Sequence, residues 1–303
     1  MFEPNKLMKY NDGDIQIYNG DCVDLLGELE PEVVSLVITS PPYCIGKEYE
    51  NIRDDIHSFC EKHREILPMV IRALRPGGSL CWQIGYHVKS AEIVPLDYIV
   101  FNLVNEINEK LETNERMILR NRIIWTFGHG LNSERRLSGR HEVILWYTKG
   151  SNYYFNLDSI RVPQKYPGKT YHHGDKKGQI SGNPKGKNPS DVWDIPNVKA
   201  NHVEKTEHPC QFPIAIPQRL IKALTKEGDL VLDPYMGSGT AAAAAILEKR
   251  RFVGAEIMED YTKIAEQRIE AAIEGTLRYR EDKPVVEPNP NSKVAKKPEN
   301  FTW

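Results

Sequence analysis

The chain has 303 residues, with 40 Lys and Arg, 42 Asp and Glu and a formal net charge of -2. That length accommodates about two domains of roughly 150 residues each, and a composition of 40% hydrophobic and 27% charged residues excludes general disorder. No apolar run approaches the ~18 residues of a membrane span, and a near-neutral chain is no polycation, so any nucleic-acid surface has to come from local clustering of charge.

Residues 1–14 (MFEPNKLMKYNDGD) lack the apolar stretch of a secretory leader, so a cytoplasmic protein without membrane contact is expected. Five cysteines, at positions 22, 44, 60, 81 and 210, form no C-x-x-C pair and indicate neither a disulfide framework nor a metal site. Residues 14–18 (DIQIY) alternate and predict a strand, with a short helix over 21–29 after a turn at Asn19-Gly20. Residues 33–39 (VVSLVIT) form a near-continuous β-branched run, which suits a buried parallel strand. Two prolines end it at Ser40-Pro41-Pro42-Tyr43. A helix is predicted over 57–74, stopped by Arg75-Pro76-Gly77-Gly78, with strands over 79–84, 121–127 and 142–148. The last two flank a polar, arginine-bearing loop. Strands alternating with helices predict an α/β fold with a mostly parallel sheet.

Composition shifts after Gly150. Residues 161–200 are rich in Pro, Gly, Lys and His. Between Arg161 and Lys187, seven basic residues (Arg161, Lys165, Lys169, Lys176, Lys177, Lys185 and Lys187) stand against one acid, Asp175. Such a run fits a solvated loop or an insert that contacts phosphates. Periodicity then returns: helix over 216–224, strand over 230–232, alanine-rich helix over 240–249, strand over 252–256 and amphipathic helix over 260–272. The Pro-, Lys- and Asn-rich remainder is expected to be an extended tail.

Two short segments carry chemistry. Asp233-Pro234-Tyr235-Met236-Gly237-Ser238-Gly239-Thr240 follows a strand and opens a helix. Its glycines permit a tight turn and close approach of a ligand, and its exposed N–H groups can donate. It lacks the lysine of a phosphate-binding P-loop. Glu256 ends the next strand, 23 residues after Asp233. An acid about 20 residues past a glycine loop is where a ribose diol is held in nucleotide-binding βαβ units. Strand, loop, helix, strand and acid together point to an adenosyl ligand. Ser40-Pro41-Pro42-Tyr43 closes a buried strand, at the sheet edge where ligands bind. Its prolines leave the carbonyls of Ser40 and Pro41 free as acceptors. With a hydroxyl and an aromatic face alongside, the segment suits a planar amine, although a plain proline-rich turn fits the same residues.

With these two motifs on strand ends, the chain resembles the amino-directed DNA methyltransferases. The order, catalytic motif first, matches their β class. Asn19-Gly20-Asp21-Cys22, Leu74-Arg-Pro-Gly-Gly78, 141–149 (HEVILWYTK) and His208-Pro-Cys-Gln-Phe-Pro213 fit further family elements, so the resemblance covers residues 12–275. Trp125-Thr-Phe lacks the lysine often seen at that strand end, and Ala241 replaces a common threonine. The resemblance implies a Rossmann-like methyltransferase sheet in circularly permuted motif order, with an inserted target-recognition segment. It divides the chain into a catalytic half (1–150), the insert (151–205), a cofactor-binding half (206–275) and a tail (276–303).

It also implies S-adenosyl-L-methionine (AdoMet) as cofactor and methylation of an exocyclic amine in double-stranded DNA. Ser40, Pro41, Pro42 and Tyr43 become the catalytic set. Asp21 and Cys22 are expected near the cofactor adenine and Glu256 at the ribose. Gln211, Phe212, Asp233, Pro234, Tyr235, Gly237, Ser238, Gly239 and Thr240 complete the cofactor set. Ser at position 40 leans toward cytosine N4 over adenine N6. The basic insert residues named above are the expected DNA contacts. A cognate restriction endonuclease and a second copy of the chain are the candidate protein partners. Pro209-Cys210 invites comparison with the nucleophile of cytosine-C5 enzymes, but Cys210 precedes the glycine loop here. Amine methylation needs no covalent intermediate. A non-catalytic nucleic-acid-binding relative is the alternative of another class.

Overall fold

The structure is a computed structural model that describes residues 2–43, 55–89, 92–128, 130, 132–163, 170–181 and 183–281. Strand β1 (Leu7–Tyr10) pairs antiparallel with β2 (Ile15–Asn19), which leads through Gly20 into helix α1 (Cys22–Glu28). Strand β3 (Val34–Thr39) follows, then α2 (Ile56–Ala73), β4 (Leu74–Ile84), a hairpin of β5 (Tyr86–Lys89) and β6 (Glu92–Pro95), and α3 (Leu96–Asn108). Strands β7 (Met117–Thr126) and β8 (His141–Lys149) form an antiparallel pair, and β9 (Val192–Asp194) lies beyond the insert. The chain continues through α4 (Ala215–Leu224), β10 (Leu230–Asp233), α5 (Thr240–Leu247), β11 (Arg251–Glu256) and α6 (Glu259–Ile273).

Among the described residues, nine strands form one sheet in the order β1-β2-β11-β10-β3-β4-β8-β7-β9. Its centre, from β2 to β4, is parallel throughout. Antiparallel pairing sits at β1 and around β8. Every residue of β3 is buried, as its β-branched run requires of a strand covered on both faces. Side chains alternate between two cores. Leu36, Ile38, Val231 and Phe252 face α4, α5 and α6. Val37, Leu80, Trp82, Leu232 and Val253 face α1, α2 and α3. The result is a three-layer α/β sandwich whose parallel strands end along one common edge.

The pattern differs from the sequence expectation in particular places. Strand β4 begins at Leu74 rather than at 79, because Pro76 is accommodated where the pairing register shifts between Val34 and Leu36. Elements β1, α3, β9 and the β5–β6 hairpin are additional. The segment 151–205 is not a plain loop throughout: β9 adds an edge strand parallel to β7, and Trp193 and Ile195 are core residues. Of the tail, residues 276–281 are irregular and 282–303 lie outside the described residues. Among the described residues no helix is long and apolar enough to cross a membrane, and no group of His, Cys, Asp or Glu could hold a metal.

Candidate active site

The two chemical motifs meet at the carboxyl edge of the sheet, because β3 and β10 are hydrogen-bonded neighbours. Thr39 Oγ1 donates to Asp233 Oδ1 at 2.6 Å, and both side chains are fully buried. The same oxygen accepts the Tyr235 N–H at 3.1 Å. Asp233 Oδ2 is buried with no hydrogen-bond partner among the described residues. Burial pushes the Asp233 pKa up to about 7, with the nearby Glu256 carboxylate adding to the rise.

The glycine loop takes the conformation its sequence predicts. Gly237 and Gly239 adopt φ of +51° and +70°, a region other residues rarely enter. Both are also crowded. A Cβ on Gly237 would lie 2.9 Å from His208 Nε2, and one on Gly239 would lie 2.9 Å from the Ala265 Cβ. The loop therefore packs the start of α5 directly against α6. Glu256, at the end of β11, faces the loop: its carboxylate accepts the Gly237 N–H at 3.1 Å and the Met258 N–H at 2.8 Å. Burial raises its pKa. Asn19 joins the same corner, donating to the Glu256 carbonyl at 3.0 Å, and the Gly20 N–H donates to that carbonyl at 2.9 Å. Asp21 is exposed and caps α1 by accepting the Val23 N–H at 2.9 Å. Cys22 is buried, and Tyr235 lies against its thiol. Pro234, Ser238 and Thr240 are buried beneath the turn.

At the end of β3, Ser40 Oγ lies 3.3 Å from the Tyr43 hydroxyl. Pro41 is buried; Pro42 and Tyr43 are half-buried. The Tyr43 hydroxyl donates to Glu142 Oε2 at 3.3 Å and accepts from Gln83 Nε2 at 3.2 Å. Gln83 also donates to the Glu142 carboxylate. Burial pushes the Glu142 pKa up to about 7, against the lowering effect of the hydrogen bonds from Tyr43 and Gln83. Burial and the Glu142 charge hold the Tyr43 phenol far above its ordinary value, so it is a neutral donor at neutral pH. Cys210 is exposed and lies near Tyr43, but among the described residues no base is hydrogen-bonded to its thiol.

Two further groups at this site are not evident from the sequence. Glu142 is a lone acid about 100 residues from Tyr43 in the chain, and only the β4–β8 pairing brings it close. Arg268 sits on the inner face of α6, buried. Its Nη1 reaches Ser238 O at 2.7 Å, Ser238 Oγ at 3.0 Å and Thr240 Oγ1 at 2.9 Å, bracing the glycine loop from below. Burial lowers its pKa to about 10, so it stays cationic. Gln211 stands in the turn before α4. Its amide accepts from Thr206 Oγ1 at 2.9 Å and donates to the Glu204 carbonyl at 2.8 Å. Phe212 is half-buried beside it.

The basic insert is rooted elsewhere. Arg161 and Lys185 share the carboxylate of Asp158. That acid lies in a 3-10 turn, Leu157–Ile160, whose Ser159 hydroxyl donates to the Lys222 carbonyl at the end of α4. This is the amino edge of the sheet. Lys187 bridges back to Val162 there. Lys176 and Lys177 are exposed, and Lys165 and Lys169 lie outside the described residues.

A left-handed glycine turn, donor N–H groups at a helix start and a partly buried carboxylate one strand away form a cradle for a nucleoside-like ligand. The hydroxyl, carbonyls and ring at 40–43 stand next to it. A family model described as DNA methylase matches residues 34–267. The type II methyltransferase M.BglII of Bacillus subtilis is 44% identical over 253 residues, covering 83% of this chain and 68% of that protein. M.ScaI of Streptomyces caespitosus is 38% identical over 272 residues, covering 86% and 83%. The DNA adenine methyltransferase YhdJ of Escherichia coli strain K12 is 30% identical over 274 residues, covering 84% and 83%. Among solved structures, the PvuII cytosine-N4-specific DNA methyltransferase matches with a TM-score of 0.65 at 19% identity, covering 88% of this chain and 94% of that one. A putative DNA modification methylase of Thermus thermophilus, TTHA0409, solved with S-adenosyl-L-methionine, matches at 0.59 and 23% identity, covering 86% and 96%. These two likenesses concern the fold.

Proposed function

The chain belongs to the DNA methylase family, and from that premise we propose that it methylates the exocyclic N4 amine of a cytosine flipped out of duplex DNA, with AdoMet as the methyl donor. The observation that carries the reading is the junction of the two motifs, in which Thr39 and Asp233 lock the strand bearing Ser40 to the strand bearing the glycine loop.

The residues fit such a donor. Asp233 keeps one buried carboxylate oxygen without a hydrogen-bond partner among the described residues, and a cation brought to this corner favours its ionised form against the burial that raises its pKa. Glu256 retains lone pairs on both oxygens for hydroxyl donors. When bound, AdoMet supplies a methyl group on a positively charged sulfur. Asp21, Cys22, Gln211, Phe212 and residues 233–240 are proposed to surround it, with Arg268 holding the turn in shape.

A base buried in a duplex is out of reach, so the target is extruded into the site. Tyr43 then offers its ring for stacking. Ser40 Oγ and the Pro41 carbonyl accept the amine hydrogens, which directs the nitrogen lone pair at the methyl carbon. The new N–C bond forms as the S–C bond breaks, and the bonding pair stays on sulfur. The amine then loses one proton toward the acceptors at the end of β3. Glu142 holds the Tyr43 hydroxyl and, as a carboxylate, stabilises the positive charge that develops on the amine. Cys210 takes no part. The resemblance to type II enzymes supports a restriction endonuclease with the same recognition sequence as a cellular partner.

Mass analysis of nucleosides from unmodified plasmid DNA treated with the protein and AdoMet tests this. The expected product is N4-methylcytosine. The similarity to YhdJ supports a second reading, adenine N6, and N6-methyladenine in the digest would establish it in place of the first.

A further inference from the structure

The DNA contacts expected from sequence lie in the insert, yet Arg161, Lys185 and Lys187 of that insert are anchored at the amino edge of the sheet. A different basic segment stands at the catalytic edge. Strands β7 and β8 pair from Thr126 and His141 downward, so the loop between them leaves the sheet beside Glu142 and the Ser40–Tyr43 segment. Residues 132–140 of this loop (NSERRLSGR) carry three arginines and one glutamate. Leu137 at its tip is 93% exposed, the most exposed large hydrophobic side chain among the described residues.

The loop is shaped rather than slack. The Ser133 N–H donates to Ser138 Oγ at 3.1 Å, drawing the two sides of the tip together. Arg140 clamps the base, donating to the Gly139 carbonyl and to Asn132 Oδ1, both at 2.8 Å. The Phe127 N–H donates to the Arg140 carbonyl at 3.0 Å. Arg136 lies over the Tyr86 ring, 6.0 Å from its centroid. Neither Arg135 nor Arg136 meets a carboxylate among the described residues, in contrast to Arg161 and Lys185. Leu137 stands almost fully in solvent directly after two arginines that no described carboxylate neutralises. This arrangement suits a polyanion whose interior is apolar: phosphates for the guanidiniums, and the stack of bases for the leucine.

We propose that residues 132–140 are a DNA-docking loop, in which Arg135 and Arg136 take backbone phosphates next to the target base and Leu137 enters the stack at the gap the flipped base leaves. The proposal rests on the DNA-methyltransferase reading above and adds the surface and the residue that hold the duplex open.

Three variants test it. With a random-sequence duplex and no cofactor, Arg135→Ala combined with Arg136→Ala should flatten the log–log salt dependence of binding by about two units, close to one per lost phosphate. Leu137→Ala should leave that binding within about three-fold of wild type. It should lower methyl incorporation into plasmid DNA at saturating AdoMet about ten-fold or more, a loss comparable to that of one base-stacking contact. Leu137→Met, which keeps an apolar tip of similar volume, should restore incorporation. AdoMet affinity, measured by calorimetry, should be unchanged in all three and reports that each is folded. An unchanged salt slope in the double arginine variant overturns the phosphate contacts, and wild-type incorporation by Leu137→Ala overturns the wedge. Absence of methyl incorporation by the wild-type protein would instead overturn the methyltransferase reading itself.

Discussion

Glu142→Gln isolates one half-buried charge at the site. The substitution keeps an acceptor for the Tyr43 hydroxyl and removes the titration. The folded-state pKa of Glu142 is about 7 against an ordinary 4.5, a gap worth about 3 kcal/mol at 1.36 kcal/mol per unit. The side chain is partly exposed, so solvent screening reduces the figure to about 2 kcal/mol. The sign follows from proton linkage. The folded chain holds this proton more tightly than the unfolded chain, so stability falls as pH rises from about 4.5 through about 7. Glu142→Gln should therefore match wild type in urea unfolding at pH 4 and exceed it by about 2 kcal/mol at pH 8. Activity should move in the opposite sense. With AdoMet saturating, a cation beside Asp233 lowers that group's pKa, which leaves Glu142 as the group titrating near neutrality. The wild-type kcat should rise through pH 7 and level off, whereas the Gln variant should be about ten-fold slower at pH 8 and flat with pH. A limb near pH 7 that survives in Glu142→Gln, or a variant no more stable than wild type at pH 8, would refute the role given to this carboxylate.

Three further outcomes follow from the glycine loop and its surroundings. Glu256→Ala removes charge-assisted hydrogen bonds and should weaken AdoMet binding by about 1.5–3 kcal/mol, roughly 10- to 100-fold by calorimetry. Arg268→Lys replaces a guanidinium whose Nη1 reaches three oxygens with a more flexible ammonium; it should loosen the loop and cost AdoMet affinity about ten-fold, with thermal unfolding still cooperative. Gly239→Ala imposes a side chain at φ +70° with its Cβ 2.9 Å from that of Ala265; chemical denaturation should show a loss of about 1–3 kcal/mol.

Much of the site can be read from the chain because its signals are local. The run at 33–39, the prolines after it, the two glycines and the acid ending β11 each declare their conformation within a few residues. Their assembly follows from one rule, that parallel strands in an open α/β sheet present ligand groups at their carboxyl ends. What escaped depends on partners distant in sequence. Glu142 begins a strand as an ordinary half-exposed acid would, and only register against β4 brings it to Tyr43. Arg268 reads as part of a polar helix face, because nothing in α6 reveals three oxygens on the neighbouring loop. Helix α3 did carry a signal in the spacing of Leu96, Val100, Leu103 and Val104. Strand β9 carried almost none, with three residues and one buried side chain. The density of lysines in the insert told of charge but not of place, since the edge of the sheet on which a long connection is rooted depends on packing against α4.

The central claim is direct transfer to an exocyclic amine at Ser40–Tyr43, with no covalent enzyme intermediate. It is tested by identifying the methylated nucleoside made by wild type, Cys210→Ser and Ser40→Ala side by side, by mass spectrometry of digested DNA. The account predicts N4-methylcytosine from wild type and, undiminished, from Cys210→Ser, with far less from Ser40→Ala. Formation of 5-methylcytosine, or an inactive Cys210→Ser beside an active Ser40→Ala, would contradict it.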